Sequence, residues 1–185
     1  AGVTFGNNLV TTVSGNMLIN SGKKLIIDNE KKLTVNGNLT NSAGNSGLII
    51  NTGGSLITNG SVSGGATVLR TIDADEWHLI SSPVSNAVSG MFTEQYLQTH
   101  NEVSNLYSDI IPTDVSLLKV KGYALWTVNN PYTAQFEGTL NTGNQSIATA
   151  KINQGWNLVG NPYPSSIDWE SAGITKSNIN PTVYM

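Results

Sequence analysis

Two stretches of the chain repeat one another: Leu25-Ile26-Ile27-Asp28-Asn29-Glu30-Lys31-Lys32-Leu33-Thr34-Val35-Asn36-Gly37-Asn38-Leu39 and Leu48-Ile49-Ile50-Asn51-Thr52-Gly53-Gly54-Ser55-Leu56-Ile57-Thr58-Asn59-Gly60-Ser61-Val62. Leu25 matches Leu48, Leu33 matches Leu56, Asn36-Gly37 matches Asn59-Gly60, and Leu39 matches Val62, all at one constant spacing. A less regular copy precedes them. It places Val10 at that same spacing before Leu33, and Ser14-Gly15-Asn16-Met17 at one position less before Asn36-Gly37-Asn38-Leu39. Short apolar strands separated by Asn, Gly and Ser turns, at a period of about 20–25 residues, meet the needs of one coil of a parallel β-helix. The leucine-rich repeat has a similar length, but its L-x-x-L-x-L pattern is missing.

Side chains alternate across a strand. Leu25 and Ile27 therefore point inward and stack on Leu48 and Ile50, with Leu33 on Leu56 and Leu39 on Val62. Ile26 and Ile49 face out as a small apolar ladder. Asn at the turns tolerates a left-handed backbone and can bond coil to coil. The expected division is 1–65 as β-helix repeats of about three coils, then 66–185 as an antiparallel β-sandwich or jelly-roll-like domain. Ser63-Gly64-Gly65-Ala66 marks the seam.

Beyond the seam a second repeat appears. Trp77-His78-Leu79-Ile80-Ser81-Ser82-Pro83 and Trp156-Asn157-Leu158-Val159-Gly160-Asn161-Pro162 both read W-x-L-[IV]-x-x-P. Trp and Leu two apart share one strand face, and the Pro ends the strand because it has no N–H for the ladder. Each copy is expected as a buried strand with its Trp in the core. Val68–Ile72, Leu117–Val120, Tyr123–Val128, Thr133–Leu140 and Ile147–Ile152 read as further strands, with Asn129-Asn130-Pro131 among the turns between them. Val88–Tyr96 holds a short helix, and Ile167-Asp168-Trp169-Glu170 opens a helical turn.

Composition narrows the function. Charged residues are 11% of the chain and Asn numbers 23, so the surface is covered by Asn, Ser, Thr and Gly, residues suited to turns and polar strand faces. A net charge of −3 argues against nucleic acid, which needs a basic stripe. The absence of Cys excludes disulfides, thiolate metal sites and a cysteine nucleophile. No apolar run approaches the length of a membrane-spanning helix.

The assembled segments resemble a module of large secreted surface proteins of the Bacteroidetes. These segments are V-N-G-N-L-T-N with G-L-I-I-N-T-G-G-S-L-I-T-N-G-S-V-S-G, then V-L-R-T-I and E-W-H-L-I-S-S-P-V. Y-A-L-W-T, F-E-G-T-L-N-T-G and G-W-N-L-V-G-N-P-Y-P-S-S-I-D-W follow. The resemblance covers nearly the whole chain, and its most specific part is G-W-N-L-V-G-N-P-Y-P. It implies an extracellular or cell-surface module of a long multidomain chain, often adhesin-like or carbohydrate-associated, exported by the type IX route. It implies no catalytic residue.

No residue cluster carries chemistry more sharply. Asp73, Asp75 and Glu76 form the densest acidic group, but no Ca²⁺ loop motif surrounds them, and a solvated turn is the plainer reading. Asp168 and Glu170 flank Trp169 and would need Asp73 or Glu76 to make a glycosidase pair. His78 and His100 sit in no H-E-x-x-H motif, and neither G-x-S-x-G nor a P-loop occurs. Lys23, Lys24, Lys31 and Lys32 read as edge charges that keep the coils soluble. No catalytic residue, metal site or cofactor is expected.

Tyr132, Tyr163, Trp126 and Trp169 are the candidate ligand-binding residues, because an aromatic face with a polar handle stacks on sugars. The expected function is a non-catalytic structural or adhesive surface module. The alternative is a carbohydrate-binding module, which needs two or three aromatics exposed in one plane. A fragment of a β-helical polysaccharide-degrading enzyme ranks third, since three coils make a short groove. The expected partners are glycans or other surface proteins, with no nucleic acid and no membrane insertion. Thr182-Val183-Tyr184-Met185 reads as the start of a strand. That implies a domain incomplete at its C-terminus, with an open sheet edge for pairing.

Overall fold

A computed structural model of the chain describes residues 10–128, 131–180 and 182–184. Nine strands run through the repeats: β1 (Val10–Val13), β2 (Met17–Ile19), β3 (Leu25–Ile27), β4 (Lys32–Val35), β5 (Leu39–Asn41), β6 (Leu48–Ile50), β7 (Ser55–Thr58), β8 (Val62–Ser63) and β9 (Ala66–Ile72). They stack in three parallel ladders, β1-β4-β7, β2-β5-β8 and β3-β6-β9. The register follows the repeat, with Leu25 opposite Leu48, Leu33 opposite Leu56 and Leu39 opposite Val62.

The alternation of apolar residues explains the packing. Leu25, Ile27, Leu33, Leu39, Leu48, Ile50 and Leu56 are all at most 2% exposed, and Val62 packs half-buried against them. Burying an aliphatic side chain of this size contributes about 1.5–3 kcal/mol relative to exposure. At the corners, Asn side chains carry hydrogen bonds from coil to coil. Asn16 Oδ1 accepts from the Asn38 N–H at 2.8 Å, and Asn38 Oδ1 accepts from the Ser61 N–H at 3.0 Å. Asn59 Nδ2 donates to Asn36 Oδ1 at 2.9 Å. Turn groups that would otherwise need water are thereby satisfied within the stack.

The first coil departs from the spacing of the later ones. Val10 lies opposite Lys32, and Thr11 opposite Leu33, so this coil is shorter by a single position. A one-residue slip moves a side chain to the other face, and Val10 is accordingly exposed where the repeat spacing put it over Leu33. The last coil is shorter again. Ile27 pairs with Ile50, but Ile50 pairs with Val68, where the full spacing would reach the acidic turn after β9. Gly64 and Gly65 make that short cut. Gly64 has φ +89, and a Cβ there would sit 2.1 Å from the Asn41 carbonyl oxygen. Asn41 Nδ2 donates to the Gly65 carbonyl at 2.6 Å and closes the corner.

The expected seam thus falls inside a continuous sheet. β9 pairs in parallel with β6 on one side and antiparallel with β14 (Tyr132–Gly138) on the other, over Ala66 to Ile72. A second, antiparallel sheet has the order β10-β13-β11-β12, with β10 Trp77–Ile80, β11 Tyr96–Asn101, β12 Leu106–Asp109 and β13 Tyr123–Trp126. Phe92, in the 3-10 turn Ser89–Phe92, joins the two sheets. Its ring meets Phe136 and Tyr132 of β14 at 6.1 and 6.0 Å, and it shares one core with Leu97 and Leu125. The molecule is all-β and sandwich-like, with parallel and antiparallel sheets.

Several expectations are corrected. Val88–Tyr96 forms the 3-10 turn and the start of β11, not a helix, and residues 167–170 make only a turn. Leu117–Val120 is not a strand: Val120 has φ 62, which no extended strand permits. Ile147–Ile152 is irregular because its backbone bonds go to side chains. Asn157 Oδ1 accepts from the Ala150 N–H, and Glu102 accepts from the Ile152 and Asn153 N–H groups. Thr182-Val183-Tyr184 is exposed and not in a strand. Asn129-Asn130 of the expected turn, and Met185 of the expected final strand, lie outside the described residues.

Candidate functional site

The W-x-L-[IV]-x-x-P repeat does not do what its pattern suggests. Trp77 and Leu79 share a face of β10, but that face points outward, and they are 49% and 56% exposed. The second copy is not a strand. Only Val159 bridges Lys121, and Trp156 is exposed with its ring edge-on to Tyr184 at 5.4 Å. The two copies do converge at their prolines. The buried Asn141 donates its N–H to the Pro83 carbonyl at 2.9 Å, and its Nδ2 to the Ser82 and Pro162 carbonyls at 3.0 and 3.1 Å.

Register partners on antiparallel strands share a face. Trp77 lies opposite Trp126, and Trp126 opposite Tyr96, so three aromatics form one row across β10, β13 and β11. Trp77 and Trp126 meet edge to face at 5.7 Å. Tyr96 is 61% exposed. The next row on the same face is Leu79, Ala124, Gln98 and Asp109, where Gln98 Nε2 donates to Asp109 Oδ1 at 2.8 Å. The third is His100 against Tyr107, ring to ring at 5.1 Å. The opposite face carries Leu97, Tyr123 and Leu125 and is buried. No Lys or Arg occupies the outer face in these three rows.

Contiguous exposed apolar surface of this kind marks an interaction site more often than a random patch. Flat aromatic faces beside hydrogen-bonding groups suit a ligand with apolar C–H faces and hydroxyls, and the lack of a basic residue suits an uncharged one.

The four residues chosen from sequence are not brought together. Trp126 lies in the aromatic row. Tyr132 packs on Phe92 and donates its hydroxyl to the Met91 carbonyl, and burial pushes its phenol up. Tyr163 donates to the Gly143 carbonyl at 2.7 Å and lines a separate cleft. Trp169 carries the Lys176 ammonium over its ring at 4.9 Å. Sequence reasoning missed Trp77, Tyr96 and Tyr107. A signal existed in Tyr96-Leu97-Gln98-Thr99-His100, whose period of two leaves Leu97 as the inward apolar residue.

The acidic turn and Glu102 have structural partners. Thr127 Oγ1 donates to the Asp73 carbonyl at 2.6 Å, and His78 Nε2 lies 3.1 Å from that oxygen, which folds the acidic turn. Glu102 accepts three backbone N–H bonds, from Ile152, Asn153 and Gly155, at 3.0, 2.8 and 2.8 Å. The bond from Ile152 leads the causes that hold its carboxyl below the usual range. Among the described residues, no group of His, Cys, Asp and Glu is gathered closely enough to hold a metal ion, and no helix is long and apolar enough to cross a membrane.

No curated protein and no solved structure matches the chain. A family model, described as a domain of unknown function (DUF8693), matches residues 4–185, and the chain belongs to that family.

Proposed function

We propose that this chain is a non-catalytic, extracellular adhesive module of a larger secreted surface protein, and that the outer face of its antiparallel sheet makes the contact. The observation that carries the reading is the row Trp77–Trp126–Tyr96, held in one face by strand register. In this reading the three parallel ladders are the faces of a short β-helix that runs from residue 10 into β9. It serves as a rigid stem for the sandwich of residues 66–185, and β9 belongs to both. The resemblance to Bacteroidetes surface modules supports the location and the type IX export route.

Carbohydrate binding is the second reading, and the same row favours it. Two exposed aromatics, Trp77 and Tyr96, with the half-buried Trp126 between them in one face, beside Gln98 and Asp109 and without a basic residue, suit the C–H faces and hydroxyls of a neutral glycan better than an anionic one. A glycan array probed with the chain and with Trp77→Ala and Trp126→Ala tests both readings. The carbohydrate reading expects retention of neutral glycans that both substitutions abolish. An empty array, with binding to a surface protein lost in the same two variants, leaves the adhesive reading alone. Turnover of any polysaccharide that disappears on mutating Asp73 or Asp168 would refute the non-catalytic assignment.

A further inference from the structure

A cleft of about 370 Å³ lies away from the aromatic row, at the end of the β1-β4-β7 ladder. One wall is β7 with Asn59. The others are residues 140–143 and Tyr163-Pro164-Ser165-Ser166. We propose that this cleft is a second binding site, which takes an uncharged, extended peptide segment as a further strand on β7.

The argument starts from the ladder. Ser55 and Asn59 donate their N–H groups toward β4, to the Lys31 and Val35 carbonyls at 3.0 and 2.9 Å. Alternate residues of a strand present their backbone groups to opposite sides. Leu56 and Thr58 therefore address the cleft. The Leu56 N–H is taken by the Pro164 carbonyl at 2.9 Å, and among the described residues that is the single backbone bond on this side. Pro164 thus fills the first rung of a fourth strand. The Leu56 carbonyl and both backbone groups of Thr58 remain for the rungs after it. A further strand in the register that β7 holds on β4 supplies two N–H donors and one carbonyl at those positions. Addition of an extended segment to such an edge is a recurrent mode of peptide recognition.

The walls are held before any ligand arrives. The Tyr163 hydroxyl donates to the Gly143 carbonyl at 2.7 Å, and its N–H to Asn161 Oδ1 at 3.0 Å. Asn161 Nδ2 donates to the Ser165 carbonyl at 2.5 Å. Preorganisation lowers the entropy cost of binding. None of the lining residues is charged, so a charged side chain entering the cleft loses hydration without gaining a counter-ion. Unpaired strand groups at ladder spacing select a peptide backbone over other neutral ligands.

The probe is a fluorescent, end-blocked hexapeptide copying Leu56-Ile57-Thr58-Asn59-Gly60-Ser61, the end of β7 and the three residues after it, which follow the rung filled by Pro164. Fluorescence anisotropy against the whole chain should show saturable binding. Hydrogen exchange at the Thr58 amide should slow by about tenfold or more at saturation, since exchange reports local opening. Ser166→Trp and Thr142→Trp, one in each of the two walls beside β7, should each weaken binding by about tenfold or more, roughly 1.4 kcal/mol. A probe with Pro in place of its Ile should bind no better than those variants allow. The glycan-array result should be unchanged in both Trp variants, which separates this site from the aromatic face. Absence of saturable binding at millimolar probe overturns the proposal. So does binding that ignores both Trp substitutions, or equal binding of the Pro probe.

Discussion

The parallel stack and the antiparallel sheet use the same kind of residue in opposite ways. In the stack, every Leu or Ile of the inner columns from Leu25 to Leu56 is buried, and the corners are tied by Asn. In the antiparallel sheet, Trp77, Leu79, Tyr96 and Tyr107 are turned outward, while Leu97, Tyr123 and Leu125 fill the core. Period-two alternation says which residues share a face, not which face is wet. The parallel ladders enclose one core, so alternation decides burial there. A sheet in a sandwich has two faces, and what packs on each decides the outcome.

This contrast can be broken at its strongest point first. Leu48 is fully buried, so Leu48→Ala should cost about 2–5 kcal/mol in denaturant unfolding, as at other buried Leu sites. Trp77→Ala, larger in volume removed, should change stability by only about 0.5 kcal/mol, as for an exposed position. Equal costs would mean that the aromatic face is part of the core. Next in size is Gly64→Ala. With φ +89 and the Asn41 carbonyl 2.1 Å from the new Cβ, about 1–3 kcal/mol should be lost by the same measurement.

Val120 tests the antiparallel part from the other direction. A β-branched residue at φ 62 is strained, and its carbonyl accepts the Gly160 N–H at 2.7 Å, where the second Trp segment docks. Val120→Gly should raise the melting temperature, with a gain of about 1 kcal/mol from relief of the left-handed conformation.

The smallest effect at neutral pH concerns Glu102. Its folded carboxyl titrates below the ordinary range of about 4.3, chiefly through the Ile152 N–H bond. A depressed carboxylate contributes stability that is complete above the unfolded value and is lost as pH falls through the folded one. Acid unfolding of the wild type should therefore steepen below about pH 4.3, and Glu102→Gln should flatten that limb. Coincident acid limbs would show that Glu102 does not hold residues 152–155 in solution.

How much was legible follows the same division. Leu25, Leu33 and Leu48 were readable because their partners recur at a fixed spacing, so that each copy predicts the next. Val10 was misread by one position, although Ser14-Gly15-Asn16-Met17 already carried the shorter spacing that the whole first repeat follows. β11 and β12 went unseen in a stretch of weak periodicity, because the pairing of β11 to β13 and of β12 to β11, rather than composition, makes them strands. Of the binding residues chosen from sequence, Trp126 alone stands in the row. Its neighbours Trp77 and Tyr96 belong to strands far earlier in the chain, and only register joins them.

The amino-acid pattern by itself determined the repeat register from residue 25 to residue 62, the inward columns and the Asn corners. These depend on contacts between equivalent positions of a repeat, which the repeat itself records. Tertiary structure decided that the W-x-L motif faces solvent, that β9 serves two sheets, and that Pro164 caps the β7 edge. Each of these depends on which distant segment wins a face or an edge. Burial at such a place is set by the competitor that packs there, and the local sequence carries no record of it.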